Sequence, residues 1–157
     1  MLYCFSVMIM ERNEMFMREA IRLANIAAEH GEVPVGAVVV YKDEIIASAY
    51  NRRECDKCAT HHAELMAIEE ACRVRGGWRL FGCELFVTME PCAMCAGAIV
   101  NARIDRVVFG APDLRFGAVG SLFDINSFGL NHKFEAVGGV LEDECRELLQ
   151  NFFRQRR

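Results

Sequence analysis

Three features of the sequence predict an α/β fold in one domain. Short apolar, β-branched runs alternate with segments of helical periodicity, which is the pattern of a sheet layered with helices. The chain has 157 residues, of which 53% are apolar and 25% charged, as expected for a globular protein with its own core. It contains no internal repeat, low-complexity tract or interdomain linker that would divide it.

Each element follows from its own local pattern. Runs rich in β-branched and apolar residues predict strands at residues 35–41, 45–50, 83–89, 106–110 and 134–140. Apolar residues at helical spacing predict helices at residues 11–30, 62–75, 92–101 and 141–157. Gly31 and Gly76 follow the first two helices and supply stops, because glycine readily adopts the left-handed conformation. The polar residues 42–44 join the first two strands as a hairpin.

The first nine residues stand apart from these elements. They are apolar, but they lack the basic flank and cleavage site of a signal peptide and are too short to span a bilayer. The predicted helical pattern begins directly after Met10. We therefore predict an N-terminal extension at residues 1–9, arising from start-site choice or partial order, and one domain at residues 10–157 with no membrane association.

Cysteine content and charge bear on the compartment and the partners. Eight cysteines would suggest disulfides in a small secreted protein, but this chain has enough apolar residues to form a core without them. We predict a reducing compartment, the cytoplasm, with some cysteines on a metal. The net charge of −4 gives no global sign of nucleic-acid binding. The tail from Phe152 to Arg157 is nevertheless basic and aromatic, and a local patch of this kind can hold phosphates.

Two short motifs combine into a predicted metal site. Cys92 and Cys95 open a predicted helix, so both sulfurs share one face near the positive N-terminus, which favours thiolates. His62 opens another predicted helix and supplies a third ligand. One histidine and two cysteines suit zinc, and three protein ligands leave one tetrahedral position open, as in catalytic sites. Zinc lowers the pKa of water in that position to about 7.

Glu64 is the predicted proton shuttle. On a helix it turns roughly 200° from the direction of His62, yet in the first turn it can border the same cavity. A carboxylate there can take a proton from the water and return it to the substrate. Two alternatives stay open: Glu64 as a surface residue of the first turn, and His61 as the ligand in place of His62.

A second Cys-x-x-Cys pair, Cys55 and Cys58, keeps another interpretation open. Four cysteines would suit a structural zinc ribbon, and this pair by itself would suit free thiols or a second metal site. A ribbon leaves the His-Ala-Glu motif unexplained, however, and the second pair lies in a polar loop. We therefore favour the catalytic site.

These motifs resemble the signature of the zinc-dependent nucleoside and nucleobase deaminases, a histidine and a glutamate joined to Pro-Cys-x-x-Cys. Within that superfamily the sequence resembles the bacterial tRNA-specific adenosine deaminases, from about residue 10 to the C-terminus. Matching segments lie at residues 32–38, 50–52, 62–64, 78–80, 90–97, 106–110, 120–122, 130–132 and 152–157. The zinc signature alone indicates only the superfamily, whereas the last segment indicates the RNA-acting branch.

The resemblance implies a three-layer α/β/α fold of the cytidine-deaminase type, with a mixed five-stranded sheet, in a homodimer whose partner completes the RNA groove. It implies a hydrolase with one zinc per subunit, which converts the wobble adenosine of an arginine tRNA anticodon to inosine and releases ammonia. His62, Cys92 and Cys95 would then bind the zinc, and Glu64 would carry the proton while water attacks the amine-bearing ring carbon.

The same resemblance implies the substrate contacts. They are Asn51, Ala63, Asp113, Asn131, Phe152, Phe153 and Arg154. Asn51 matches a base-contacting asparagine, and Asp113 and Asn131 match nucleotide contacts, although each would also suit an ordinary polar loop. The two phenylalanines would border RNA bases, and at helical spacing one of them suits the core instead. Arg154 would hold phosphate together with the arginines at positions 156 and 157.

One departure from the family pattern borders the expected pocket. Where the family has Asp-Pro-Thr and a small or apolar residue, this chain has Cys58-Ala59-Thr60-His61, and losing the proline should loosen the loop and alter substrate preference. Two other functions stay open: deamination of a free guanine or cytosine base or nucleoside, and nucleic-acid binding by a non-catalytic zinc module. The basic tail favours RNA over a free base, and Glu64 favours a catalyst over a binding module.

Overall fold

The computed structural model describes residues 2–156, with side chains from residue 5 onward. The α-helices in this part of the chain are α1 (Leu2–Glu29), α2 (Ala63–Arg75), α3 (Ala93–Ala102) and α4 (Glu142–Arg154). The strands are β1 (Gly36–Tyr41), β2 (Glu44–Tyr50), β3 (Cys83–Met89), β4 (Arg106–Ala111) and β5 (Glu135–Val137). A short 3-10 helix, Ile125–Ser127, lies between β4 and β5.

The strands form one mixed sheet in the order β2-β1-β3-β4-β5. β1 is antiparallel to β2 and β3, whereas β3, β4 and β5 are parallel. Because side chains alternate between the faces of a strand, Val38 and Val40 of β1 pack with α1, and Ala37 and Val39 pack in the core beneath α2 and α3. Helix α4 joins the α1 layer through the buried Cys145. The predicted three-layer α/β/α fold with a mixed five-stranded sheet is confirmed.

Several element boundaries differ from the sequence predictions, and three of these differences have a clear local cause. Helix α1 begins at Leu2 and not at residue 11, because the apolar N-terminal run continues the helix without a break. β5 ends at Val137, where two glycines follow, the second with a φ of 84°. Helix α4 begins one residue later than predicted, because Leu141 has a φ of 52° and cannot belong to a right-handed helix.

The carboxyl end of β3 organises the region where the site lies. After Met89 the chain passes through Glu90 and Pro91 to Cys92, which caps the N-terminus of α3. The loop after β2 leads to His62, which caps the N-terminus of α2. Two helix N-termini therefore meet beyond this edge of the sheet, where open α/β sheets usually bind ligands. None of the helices described here is long and apolar enough to cross a membrane.

Candidate metal centre

His62, Cys92 and Cys95 form the metal cluster, in which one ligand atom from each residue lies within 4.8 Å of the others. The Nδ1 atom of His62 is 3.8 Å from the Cys92 sulfur and 3.6 Å from the Cys95 sulfur. Zinc bonds of about 2.05 Å to nitrogen and 2.3 Å to sulfur, at a tetrahedral angle, predict a nitrogen–sulfur distance of about 3.6 Å. The donor set and its spacing therefore fit zinc, and no second such group occurs among the residues with described side chains.

The two sulfurs of the cluster differ in their affinity for protons. Hydrogen bonds from the Cys95 thiol and from His62 lower the pKa of Cys92 to about 4 despite burial. The hydrogen bond to Cys92 raises the pKa of Cys95, and burial adds to the effect. The same contact with Cys92 raises the pKa of His62. The lowered pKa of Cys92 favours its thiolate, which is the form of cysteine that binds a metal ion.

Glu64 is the second residue of α2 and is buried, with 4% of its surface exposed. Burial raises the pKa of its carboxyl group to about 7. The Cys95 thiol is a hydrogen-bond partner of this carboxyl group. The charges of His62 and Cys92 also affect its pKa, His62 lowering it and Cys92 raising it. The alternative of a surface glutamate is therefore wrong, because Glu64 faces the metal cluster.

The segment 51–61, called here the Cys55 loop, borders the cluster on the His62 side. Asn51 is buried, and its Nδ2 donates to Glu32 Oε2 at 3.2 Å. The other oxygen of the buried Glu32 accepts the main-chain N–H of Cys55 at 2.7 Å. Glu32 therefore fixes both the predicted base-contacting asparagine and the loop that follows it.

His61 is not part of the metal cluster, so the structure selects His62 from the adjacent pair. The Nδ1 of His61 lies 2.8 Å from Asp56 Oδ2, and Arg52 donates to both oxygens of the same carboxylate. Hydrogen bonds from Arg52 and then His61 lower the pKa of Asp56 to about 2. These side chains cross-link the Cys55 loop.

Cys55 and Cys58 do not enter the metal cluster. The Cys55 sulfur is 3.7 Å from the carbonyl oxygen of His30, and the Cys58 sulfur is 3.3 Å from Thr60 Oγ1. Cysteines 92 and 95 combine with a histidine instead of with this second pair. The four-cysteine zinc ribbon is therefore wrong, and both loop cysteines are free.

Residues 112–121 follow β4. This segment is called here the Glu90 loop, because its main chain binds the carboxylate of Glu90, which itself lies after β3. Asp113 is partly buried, and its Oδ1 accepts the N–H groups of Arg115 at 2.9 Å and Phe116 at 3.2 Å. Its own N–H donates to Glu90 Oε2 at 2.9 Å. Asp113 thus caps a turn with its side chain while its main chain binds a buried carboxylate.

The remaining predicted substrate contacts differ in their burial. Ala63 is fully buried beside His62, whereas Asn131 is exposed. Phe152 is the core member of its pair, at 7% exposed, and Phe153 is 51% exposed. Phe153 and Arg154 line a shallow cavity of about 340 Å³ on α4, and no residue of the metal cluster lines it.

Arg156 has an intramolecular role in the described tail. Its guanidinium group stacks over the Phe152 ring at 4.0 Å and donates to the carbonyl oxygen of Gly31. This contact fastens the C-terminal segment to the loop after α1, so Arg156 is less available for phosphate than its sequence position suggested. Arg157 lies outside the described residues.

Sequence reasoning missed two buried carboxylates that flank the site. The sequence analysis included Glu32 and Glu90 only as members of the matching segments 32–38 and 90–97. Both are fully or almost fully buried, at 0% and 3% exposed. A glutamate within a few residues of a buried strand was the available signal, because such a charge needs internal hydrogen bonds if it is buried.

Comparisons with known proteins identify the family. The family model described as the cytidine and deoxycytidylate deaminase zinc-binding region matches residues 10–111. The tRNA-specific adenosine deaminase of Bacillus subtilis (strain 168) is 50% identical over 149 residues, which cover 94% of this chain and 92% of that protein. The chain belongs to the tRNA-specific adenosine deaminase branch of this family.

Two solved structures share the fold, and the one that covers more of the chain agrees with this assignment. A structure from a study of A-to-I editing by tRNA:A34 deaminases superposes with a TM-score of 0.81 at 40% identity, covering 86% of this chain and 99% of that one. A guanine deaminase from Bacillus subtilis is also 40% identical, but with a TM-score of 0.61 over 63% of this chain and 64% of its own. The family's zinc-binding region and the geometry of the metal cluster together establish zinc as the cofactor.

Proposed function

We propose that this protein is a zinc-dependent hydrolase that converts adenosine to inosine at the wobble position of a tRNA anticodon, with arginine tRNA as the expected substrate. The observation that carries the proposal is the buried Glu64 beside a His/Cys/Cys cluster, in a chain similar over 94% of its length to tRNA-specific adenosine deaminases. We further propose that residues 10–157 form the catalytic domain and residues 1–9 an extension of it.

The residues of the cluster divide the chemistry between them. His62, Cys92 and Cys95 would hold the zinc, which supplies the Lewis acidity that makes water nucleophilic near neutral pH. Glu64, buried against Cys95, would accept a proton from the water and deliver it to the departing amine as ammonia forms. Burial keeps the carboxyl away from bulk water, so the proton is retained within the site.

Residues on the two flanking loops are the proposed substrate contacts. Asn51, held by Glu32, would hydrogen-bond the base, and the buried Ala63 would form an apolar wall beside it. Asp113 on the Glu90 loop would contact the nucleotide, and Asn131 would contact a neighbouring part of the RNA.

The C-terminal helix would contribute the outer RNA contacts. Phe153 is half-exposed and would border a base, and the exposed Arg154 next to it would contact a phosphate. Phe152 would act indirectly, because it is buried and supports the tail beneath Arg156.

We also propose that the active species is a homodimer in the cytoplasm. Five large apolar side chains are about half-exposed or more in a single segment after the metal-binding region: Leu114, Phe116, Leu122, Phe128 and Leu130. A second copy of the chain would cover such a surface. The reducing compartment is supported by the cysteines with described side chains, all of which are free.

Deamination of a free purine base is the second candidate, since a guanine deaminase matches about two thirds of the fold. An assay on an adenosine-bearing arginine anticodon stem-loop, with free guanine, adenine and cytidine as competitors, separates the two functions. Inosine formed in the stem-loop alone supports the tRNA enzyme. Turnover of a free base with an unaltered stem-loop contradicts it.

Replacing Glu64 by alanine tests the catalytic assignment. We expect turnover to fall by about 10²- to 10⁴-fold or more while the protein keeps one zinc and its circular dichroism spectrum. Glu70→Ala is the matched control, because Glu70 lies exposed on the same helix. A Glu64→Ala enzyme that stays active would contradict the proposed proton transfer.

A further inference from the structure

Glu90 is a buried carboxylate around which the Glu90 loop is folded. It is 3% exposed and lies between the end of β3 and the metal-binding Cys92. Its Oε1 accepts the N–H groups of Val119 at 3.1 Å and Ser121 at 3.0 Å, and its Oε2 accepts that of Asp113 at 2.9 Å. The Ser121 hydroxyl also donates to Oε2.

These four donors make the loop depend on one side chain. Within the described part of the chain, no arginine, lysine or histidine forms an ion pair with Glu90, so main-chain amides and one hydroxyl solvate its charge. Hydrogen bonds to a charged acceptor are stronger than those to a neutral one, and a buried carboxylate without hydrogen bonds is unfavourable. Three of the donors are main-chain N–H groups, which fix the path of the chain and not merely one rotamer.

Gly117 shows how closely the chain encloses the carboxylate. A Cβ atom at this position would lie 2.5 Å from the carboxyl carbon of Glu90, so any other residue would displace the loop. The loop also pairs directly with the metal-binding segment. Gly117 forms a bridge with Cys92, and the Ala118 N–H donates to the Pro91 carbonyl oxygen at 2.9 Å.

We propose that Glu90 is a positioning residue for the substrate: its carboxylate sets the Glu90 loop against the segment that carries Cys92 and thereby places Asp113 for the nucleotide. The substrate part of this inference rests on the proposed function, in which Asp113 contacts the flipped-out nucleotide. Glu90 itself touches neither the substrate nor the reacting atoms. It acts by joining the metal-binding segment and the nucleotide-binding loop into one unit.

Glu90→Gln tests the proposal with little change in volume. Glutamine offers one acceptor oxygen and an amide NH₂ that opposes the N–H donors of the loop, so the loop should lose its fixed shape. We expect amide exchange of Asp113, Val119 and Ser121 to become roughly 10- to 100-fold faster, as one lost charged hydrogen bond predicts. We expect KM for the stem-loop to rise by a similar factor, kcat to change several-fold less, and zinc content to stay at one per chain.

Two further variants complete the test. Ser121→Ala removes one donor and keeps the carboxylate, so KM should rise only about 3- to 10-fold; this variant carries the test if Glu90→Gln does not fold. Glu44→Gln is the matched control, because this exposed glutamate at the start of β2 should leave every measured quantity unchanged.

The outcomes separate this inference from the proposed function. Unchanged amide exchange and unchanged KM in Glu90→Gln overturn the inference. Loss of zinc in proportion to activity also overturns it, because the carboxylate would then serve the metal site instead. If the wild-type enzyme acts only on a free base, the proposed function and the nucleotide-placing part fail together, and the amide-exchange result alone decides whether Glu90 sets the loop.

Discussion

Two glutamates lie at opposite ends of β3, and their partners differ in kind. Near the start of the strand, Glu84 has a side chain that is 19% exposed and accepts hydrogen bonds from Arg12 at 2.6 Å and Arg106 at 2.7 Å. Beyond the end of the strand, Glu90 is 3% exposed and accepts from three main-chain N–H groups and a hydroxyl. One carboxylate is paired with charged side chains, and the other with the backbone of a loop.

This difference indicates what each carboxylate does. Glu84 connects α1, β3 and β4 through two arginines far from the metal cluster, so its loss should lower the stability of the fold. Glu90 specifies the path of the loop that carries Asp113, so its loss should lower substrate binding first. We therefore expect the glutamate near the start of the strand to serve stability and the one beyond its end to serve substrate binding.

The largest expected effect on stability comes from Glu84→Ala. Removing the carboxylate leaves two partly buried guanidinium groups without their shared partner, which should lower the free energy of unfolding by about 3 kcal/mol. Urea titration measures the change, and kcat and KM of the folded variant should match wild type. Glu135→Ala is the control, because Glu135 is 65% exposed and 3.4 Å from Arg106; it should cost less than about 0.5 kcal/mol. A Glu84→Ala variant as stable as wild type would remove the contrast.

The contribution of Glu84 to the free energy of unfolding should also decrease at acidic pH, by a smaller amount than in Glu84→Ala. Burial alone raises the pKa of Glu84, but the hydrogen bonds from Arg12 and Arg106 outweigh it and hold that pKa below its ordinary value. A depressed pKa stabilises the folded state fully above the unfolded pKa, near 4.3, and this stabilisation is lost as pH falls through the folded pKa. The stability difference between wild type and Glu84→Gln, measured by urea titration, should therefore shrink as pH falls from about 5 to 3. A difference that stays constant with pH would show that Glu84 has an ordinary pKa.

A double-mutant cycle tests whether the two ends act independently. Six residues along a strand separate the two glutamates by about 20 Å, and distant sites without shared partners usually add within about 0.5 kcal/mol. We expect Glu84→Gln and Glu90→Gln to show a coupling energy below that value in urea unfolding. A larger coupling would mean that the strand transmits strain and that the two roles are not separate.

The smallest expected effect is that of Asp43→Asn. Asp43 forms an exposed ion pair with Arg12, one of the two arginines that bind Glu84. Its side chain is 75% exposed, and its Oδ1 lies 2.7 Å from Arg12 Nε. It has a φ of 63° in the hairpin turn, and asparagine tolerates this conformation. Thermal unfolding should show a change below about 0.5 kcal/mol, because an exposed pair is screened by solvent. A loss of stability as large as that of Glu84→Ala would contradict the distinction between the exposed pair of Asp43 and the partly buried pairs of Glu84.

Local patterns in the sequence were sufficient for most of the fold. Strand β3 was predicted with its exact ends, because a run of buried residues between turns leaves few alternatives. The hairpin of β1 and β2 and the stop of α2 at Gly76 also follow from short segments, since Gly76 adopts a φ of 69°. The helical conformation of residues 2–9 was not predicted, because a run of apolar residues without polar residues between them shows no clear helical period.

The candidate site was predictable in composition but not in arrangement. A histidine, two cysteines and their spacing indicate zinc from chemistry alone, and the metal cluster bears this out. Choosing between His61 and His62 required the contact of His61 with Asp56. Placing Glu64 inside the protein required the packing of α2 against the sheet and α3.

The sequence by itself determined the alternation of helices and strands, the zinc ligand types and the resemblance to the deaminase family. Only the tertiary structure decided that Glu32 holds Asn51, that Glu90 holds the loop of Asp113, and that Arg156 is fastened to Gly31. The physical reason is range. Periodicity and caps depend on residues a few positions apart, whereas a buried carboxylate selects partners that only folding brings together.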